Sequence, residues 1–208
     1  MSAGKVFCIG FQKTGTTSLY AALTRLGYKT AAVVGRDWSA DRLASQGAAL
    51  CIETMRDFDA AQDMPWPVFY RELDAAYPGS KFILTLRDYE HWFASIEKHF
   101  GANGDEMQSF IYGRDAAAPA QAKARYLEIY AAHERAVRAH FADRPHDLLI
   151  MDLEKGDGWK ALCDFLGRTP PDEPFPVKNR SHERKRLIFR IRRRIARFFG
   201  RYLAPEQI

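Results

Sequence analysis

The sequence predicts an α/β domain, a parallel sheet with helices on both faces, followed by a basic helical tail. Three observations carry that expectation. Short apolar runs alternate with segments of helical periodicity along most of the chain. The first run enters a glycine- and threonine-rich loop that opens directly into a helix, and the C-terminal segment changes abruptly in charge. A length of 208 residues suits one well-buried core rather than two, so residues 1–180 are expected to form a single domain and residues 181–208 the tail.

In chain order, residues 5–9 read as a buried strand and residues 16–26 as a helix closed by Gly27. A short strand is expected at 29–34, a helix at 39–45 closed by Gly47, and another strand near 49–53. Residues 68–77 look helical and stop at Pro78-Gly79. "KFILTL", residues 81–86, is the clearest strand, and Arg87 stands at its carboxyl end. Asp88 is placed to cap the next helix, in which Trp92, Phe93, Ile96 and Phe100 fall at helical spacing. A Gly- and Asn-rich loop leads to a further helical stretch, and residues 120–141 form a long alanine-rich helix. "DLLIMDL" at 147–153 supplies a strand, and 159–166 a helix ended by Gly167, before a proline-rich crossing.

The hydrophobic and charged fractions, 47% and 27%, are those of a globular protein, with neither a signal peptide nor an apolar run of membrane length. A cytoplasmic location is the resulting expectation, peripheral to the inner face of a membrane if the tail binds lipid. Cys8, Cys51 and Cys163 are odd in number, widely spaced and set in apolar runs, so they read as buried thiols. No H-x-x-x-H or C-x-x-C spacing suggests a metal site, and none is expected.

A loop between a strand and a helix N-terminus gathers unpaired N–H groups at the positive end of the helix dipole, and glycine lets the chain approach an anion closely. Gly10 and Gly15 have the G-x-x-x-x-G spacing of a nucleotide-binding P-loop, but Thr16 stands where lysine would follow, and the lysine comes earlier, at Lys13. That displacement argues against an ordinary ATPase or GTPase. "FQKTGTTSL" in this setting resembles the 5′-phosphosulfate loop of the P-loop sulfotransferases, which use 3′-phosphoadenosine 5′-phosphosulfate (PAPS) as donor. The resemblance implies that Lys13 contacts the bridging and leaving oxygens while Gly15, Thr16 and Thr17 hold the 5′-phosphate, with Gly10, Gln12, Thr14 and Ser18 completing the donor loop.

PAPS carries a 3′-phosphate that ATP lacks, so a selective protein needs a second anion site. "LRDYEHWFAS" is similar to the family's pattern for that site, with Arg87 at a strand end and Ser95 eight positions on. Arginine offers a bidentate fork to phosphate oxygens, and serine adds a hydroxyl. The plainer reading pairs Arg87 with Asp88 or Glu90. "DMPWPVFYRELDAAYPGSKFILTLRD" and "DFLGRTPPDEPFPVKNR" also look like a compact bacterial and fungal branch of the family, and extend the likeness over most of residues 5–180.

Sulfuryl transfer needs a base for the acceptor and a cation for the departing phosphate. Cytosolic sulfotransferases carry a histidine followed by x-Pro upstream of the arginine strand, and here "DMP" puts Asp63 in that place. Asp63 equally suits bracing the turn before Pro65, and His91 and His99 are rival bases. A carboxylate base works best when desolvation raises its pKa, for which Met64, Trp66 and Phe69 are at hand. In the family a loop near "KNRSHERKR" closes over the 3′-phosphate, which makes Lys178 and Arg180 further donor ligands, with Arg184 beside them.

Between Lys178 and Leu203 eleven Lys/Arg face one acid, Glu183, leaving twenty basic and twenty-five acidic residues elsewhere. Residues 186–203 place Ile188, Ile191, Ile195, Phe198 and Tyr202 on one helical stripe with arginines largely elsewhere. Such a helix suits an anionic membrane surface, and equally suits packing on the domain or on a second copy in a homo-oligomer; nucleic acid is not expected, since no binding module accompanies the charge. The sequence thus predicts a PAPS-dependent sulfotransferase acting on a hydroxyl or amine of a small-molecule or lipid acceptor, with adenosine 3′,5′-bisphosphate as product. The alternatives are a P-loop kinase or NTPase and a non-catalytic nucleotide-binding protein of the same fold.

Overall fold

Val6–Cys8 (β1) is the central strand of a five-stranded, wholly parallel sheet in the computed structural model, which describes residues 4–176. The other strands are Thr30–Ala31 (β2), Ala60–Ala61 (β3), Lys81–Thr85 (β4) and Leu148–Met151 (β5), in the spatial order β2-β3-β1-β4-β5. The register sets Phe7 beside Ala61 on one side and Phe82 on the other, while Ile83 pairs with Leu149. Both faces are buried, which explains why β1 and β4 are continuous apolar runs rather than alternating ones. Phe7, Ile9, Phe82 and Leu84 point into one core with Cys51, Met55, Leu73, Val137 and Phe141. Val6, Cys8 and Ile83 point into the other, against Leu19, Leu23, Trp159 and Leu162.

Helices Thr16–Arg25 (α1) and Trp159–Leu166 (α7) therefore cover one face, and Ala40–Thr54 (α2), Tyr70–Ala76 (α3) and Lys123–His140 (α6) the other. A third apolar cluster, of Phe11, Trp92, Phe93, Ile96, Tyr112, Tyr126 and Tyr130, joins α6 to Tyr89–Phe100 (α4) and Glu106–Tyr112 (α5) beneath the loop that follows β1. The α/β class with helices on both faces is as predicted. The three cysteines are free and buried, and burial pushes the Cys51 thiol up to about 12.

One predicted element is wrong. The expected strand at 49–53 lies inside α2, which runs through Gly47 to Thr54, and the strand comes later, as the two alanines of β3. Gly47 does not stop the helix. It is buried on the stripe Leu43, Gly47, Cys51, and a Cβ there would come 2.5 Å from the ring of Phe69. Helix α3 starts at Tyr70 rather than 68, and α6 at Lys123, after a 3₁₀ turn over Pro119–Gln121. Lys178, Arg180 and the tail at 181–208 lie outside the described residues.

Candidate functional site

Four neighbouring strands deliver the polar residues of the site at their carboxyl ends. Asp63 follows β3, the Gly10–Thr17 loop follows β1, Arg87 follows β4 and Glu154 follows β5. Open parallel sheets place ligands there because the helix N-termini converge on that edge.

The loop is built for close approach. A Cβ on Gly10 would overlap the Thr85 hydroxyl and lie 2.6 Å from its carbonyl oxygen, so only glycine lets β1 leave the sheet against β4. Gly15 caps α1 at φ 108°, a left-handed conformation that glycine adopts without strain. Lys13 also takes a positive φ, 69°, in the turn before it. The first amides of a helix have no intrahelical acceptor, so this turn presents N–H groups and a positive dipole end.

The residues of the loop divide between those that brace it and those that face outward. The Thr14 hydroxyl donates to the Phe11 carbonyl and pairs with Thr85 Oγ1, both at 2.6 Å, and Thr14 N–H also goes to Phe11. Gln12 is buried, its side-chain amide donating to the Tyr112 hydroxyl at 3.3 Å while its backbone carbonyl accepts the Trp92 indole N–H at 3.0 Å. The side chains of Gln12 and Thr14, both assigned to the donor loop, hold that loop from beneath, and Ser18 is buried as well. Thr16 is buried with its hydroxyl directed at Asp63 Oδ2, 3.4 Å away, whereas Thr17 is exposed and Lys13 half-buried.

Arg87 is fixed at its backbone by Tyr130, whose hydroxyl accepts from Arg87 N–H at 3.0 Å and donates to its carbonyl at 3.3 Å. Tyr130 in turn stacks on Trp92, centroids 4.2 Å apart and rings 9° from parallel. The guanidinium donates from Nη1 to the Lys13 carbonyl at 3.4 Å and from Nη2 to Glu154 Oε1 at 2.6 Å, while Nε is buried with no partner. The pairing with Asp88 or Glu90 does not form. Asp88 caps α4 through the N–H groups of Glu90 and His91, and Glu90 binds Lys123 at 2.7 Å. Ser95 sits half-buried on α4 beyond Arg87.

Asp63 takes a positive φ of 72°, with Oδ1 accepting the N–H of Met64 at 3.0 Å and Oδ2 facing Thr16. Desolvation raises its carboxyl above the ordinary carboxylate value, opposed by the Met64 and Thr16 hydrogen bonds and the charges of Lys13 and Arg36. Arg36 also lines an open cleft of about 590 Å³ together with Trp38, Ser39, Asp105 and Ser109. Of the rival bases, His91 is exposed beside Glu154 at 3.5 Å, and His99 is exposed at the end of α4.

One residue the sequence reading missed is His133, whose Nε2 lies 2.7 Å from the Ile9 carbonyl and whose ring stacks on Phe11 at 4.4 Å. Desolvation lowers its pKa to about 4, so the neutral ring donates to Ile9 just before the loop. Its place on the α6 stripe with Tyr126, Tyr130 and Val137 was the available signal. Glu154 was missed too, because a carboxylate in a turn carries no pattern of its own. Among the described residues no group of three or more His, Cys, Asp or Glu side chains is placed to hold a metal ion.

Fold and site together define a parallel α/β domain whose glycine loop, cationic side chains and Asp63 gather at the strand carboxyl ends. The sulfotransferase domain profile matches residues 5–118 and 106–184, and the chain belongs to that family. It is also similar to Ava biosynthesis cluster protein M of Aspergillus versicolor, with 25% identity over an alignment of 211 positions, gaps included, that covers 83% of this chain and 79% of the relative.

Proposed function

We propose that this sulfotransferase-domain protein uses PAPS as donor and sulfates a hydroxyl or amine of a small-molecule or lipid acceptor. The observation that carries the donor assignment is the 3.4 Å contact between the Arg87 guanidinium and the Lys13 carbonyl. It brings a second cationic site against the phosphate loop, and adenosine 3′,5′-bisphosphate has its two phosphates on one ribose, so its two anion sites must be neighbours. The buried, unpartnered Nε of Arg87 supports the same reading, since a buried donor without an acceptor is costly unless a ligand meets it.

In this reading Gly15, Thr16 and Thr17 hold the 5′-phosphate through amides and an outward hydroxyl, and Arg87 and Ser95 hold the 3′-phosphate. Bound there, PAPS supplies an activated sulfuryl group, and its transfer to the acceptor releases adenosine 3′,5′-bisphosphate. Lys13 neutralises charge on the leaving phosphate, a preorganised contact of the kind that lowers barriers most. Asp63 takes the acceptor proton, and desolvation, by raising its pKa, makes it a stronger base than an ordinary carboxylate. The open cleft lined by Trp38 and by Arg36, whose charge acts on the Asp63 carboxylate, is the candidate acceptor cleft. Calorimetry tests the donor: adenosine 3′,5′-bisphosphate should bind at least about tenfold more tightly than AMP, and Arg87→Ala should erase most of the difference. Equal affinities would refute the assignment.

A further inference from the structure

The ion pair between Arg87 and Glu154 joins the expected 3′-phosphate ligand to a carboxylate in the turn after the neighbouring strand β5, at 2.6 Å. Resting on the donor reading above, we infer that Glu154 is a stand-in for the 3′-phosphate, which occupies Arg87 in the free protein and is displaced by ligands that carry that phosphate and by no others. Glu154 meets only Nη2 of the fork, leaving Nε buried and unpaired, so the incumbent is a poor match. A phosphate has enough oxygens to serve Nε and Nη2 together.

The displacement needs only a side-chain rotation. The turn after β5 is pinned independently of Glu154's carboxylate: Asp152 Oδ1 accepts the N–H groups of Glu154 and Lys155, and Asp157 Oδ2 accepts that of Asp152 at 2.7 Å. The Glu154 side chain is 46% exposed against 22% for Arg87, so the released carboxylate moves into water while the arginine stays put. Its second oxygen already lies 3.5 Å from His91 Nδ1, an alternative neighbour once Arg87 is taken. A nucleotide without a 3′-phosphate leaves the pair intact and gains nothing from Arg87. A ligand that has one must break the pair, which weakens donor and product alike and favours product release.

The sign of one measurement separates this role from a positioning role. Glu154→Gln keeps the side chain's length and removes its charge at a surface site, with Glu154→Ala as a second variant. Both should bind adenosine 3′,5′-bisphosphate about two- to fivefold more tightly than the native chain in calorimetry, the range for loss of a partly exposed ion pair, with AMP affinity unchanged. Unchanged or weaker binding of the bisphosphate by both variants would overturn the inference and make Glu154 a support for Arg87, leaving the donor assignment standing. Tighter binding of AMP and bisphosphate alike would also overturn it, as a general charge effect. A native chain with no preference for the bisphosphate would bring down the donor assignment and the stand-in together.

Discussion

Asp63 combines a positive φ, partial burial and a carboxylate raised by desolvation, all of them features that stability alone would remove. Its sign follows from linkage. A carboxyl raised in the folded state makes the protein hold a proton that the unfolded chain has lost, so stability falls as pH rises from the ordinary value of 3.8 through the raised one and stays lower above it. Asp63→Asn keeps the Oδ1 acceptor for Met64 and removes the charge. It should melt at a higher temperature than the native protein at pH 7, with the difference vanishing below the ordinary carboxylate range. Sulfate transfer by the same variant should fall by about 10²-fold or more with donor affinity near normal, the pattern of a lost base. Full activity in Asp63→Asn would return the proton transfer to a histidine. Lys13→Ala should lower kcat by about 10²-fold and donor affinity much less, because its contact counts most as charge gathers on the leaving phosphate; a variant with native kcat would remove Lys13 from the mechanism. Short stretches of sequence singled out Lys13, Gly15, Arg87 and Asp63, and the fold brings all four to the carboxyl ends of the neighbouring strands β1, β3 and β4. Such stretches could not show that Gln12 and Thr14 turn inward, because Tyr112 and Thr85, their partners, are 100 and 71 residues away.

At the scale of elements, the strands that the sequence made plain were β1 and β4, where burial on both faces demands an unbroken apolar run. Strands β2 and β3 have only two residues each, too few for a periodic signal, and Gly47 read as a stop because glycine ends helices more often than it packs inside them. Its real role gives a prediction against propensity. Gly47→Ala improves helix propensity by roughly 1 kcal/mol, yet the new methyl meets the ring of Phe69, itself buried and stacked on Phe110. The variant should therefore be destabilised overall, by about 1–2 kcal/mol in chemical denaturation at an unchanged m-value, the range for overpacking. A more stable Gly47→Ala protein would show that Phe69 moves aside freely. His133 ties α6 to the end of β1, and its depressed pKa couples that tie to acid. The unfolded chain takes up the proton near 6.5 and the folded one only near 4, so the stabilisation is complete above pH 6.5 and drains away as pH falls towards 4, by about 3 kcal/mol in all. His133→Gln keeps a donor for Ile9 and has nothing to titrate, so its stability should be flatter between pH 6.5 and 4 than that of the native protein in denaturant midpoints. An equal slope in both would place the acid sensitivity elsewhere.

The whole molecule is divided in charge more sharply than in composition. The net +5 is the sum of eleven Lys/Arg and one acid between Lys178 and Leu203, and of twenty basic and twenty-five acidic residues in the rest. No helix among the described residues is long and apolar enough to cross a membrane. A stripe of Ile188, Ile191, Ile195, Phe198 and Tyr202 with arginines around it has the composition of a segment that lies on anionic lipid, each basic residue adding roughly 1 kcal/mol near the surface. On that proposal the full chain should co-sediment with vesicles containing phosphatidylserine, much less with neutral phosphatidylcholine vesicles. The attraction should weaken as salt shortens the screening length from about 10 Å at 0.1 M ionic strength. Two variants separate charge from the apolar stripe. Arg192, Arg193 and Arg194 changed together to Gln should lose the salt-sensitive part, whereas Phe198→Ser and Ile191→Ser should weaken binding at every salt concentration. If the family's chemistry is aimed at a lipid, the charge-depleted variant should sulfate a soluble acceptor analogue at the native rate and a vesicle-borne one slowly, because only the local acceptor concentration has been lost. Native-like vesicle binding by the arginine variant would leave the tail's charge without a membrane role.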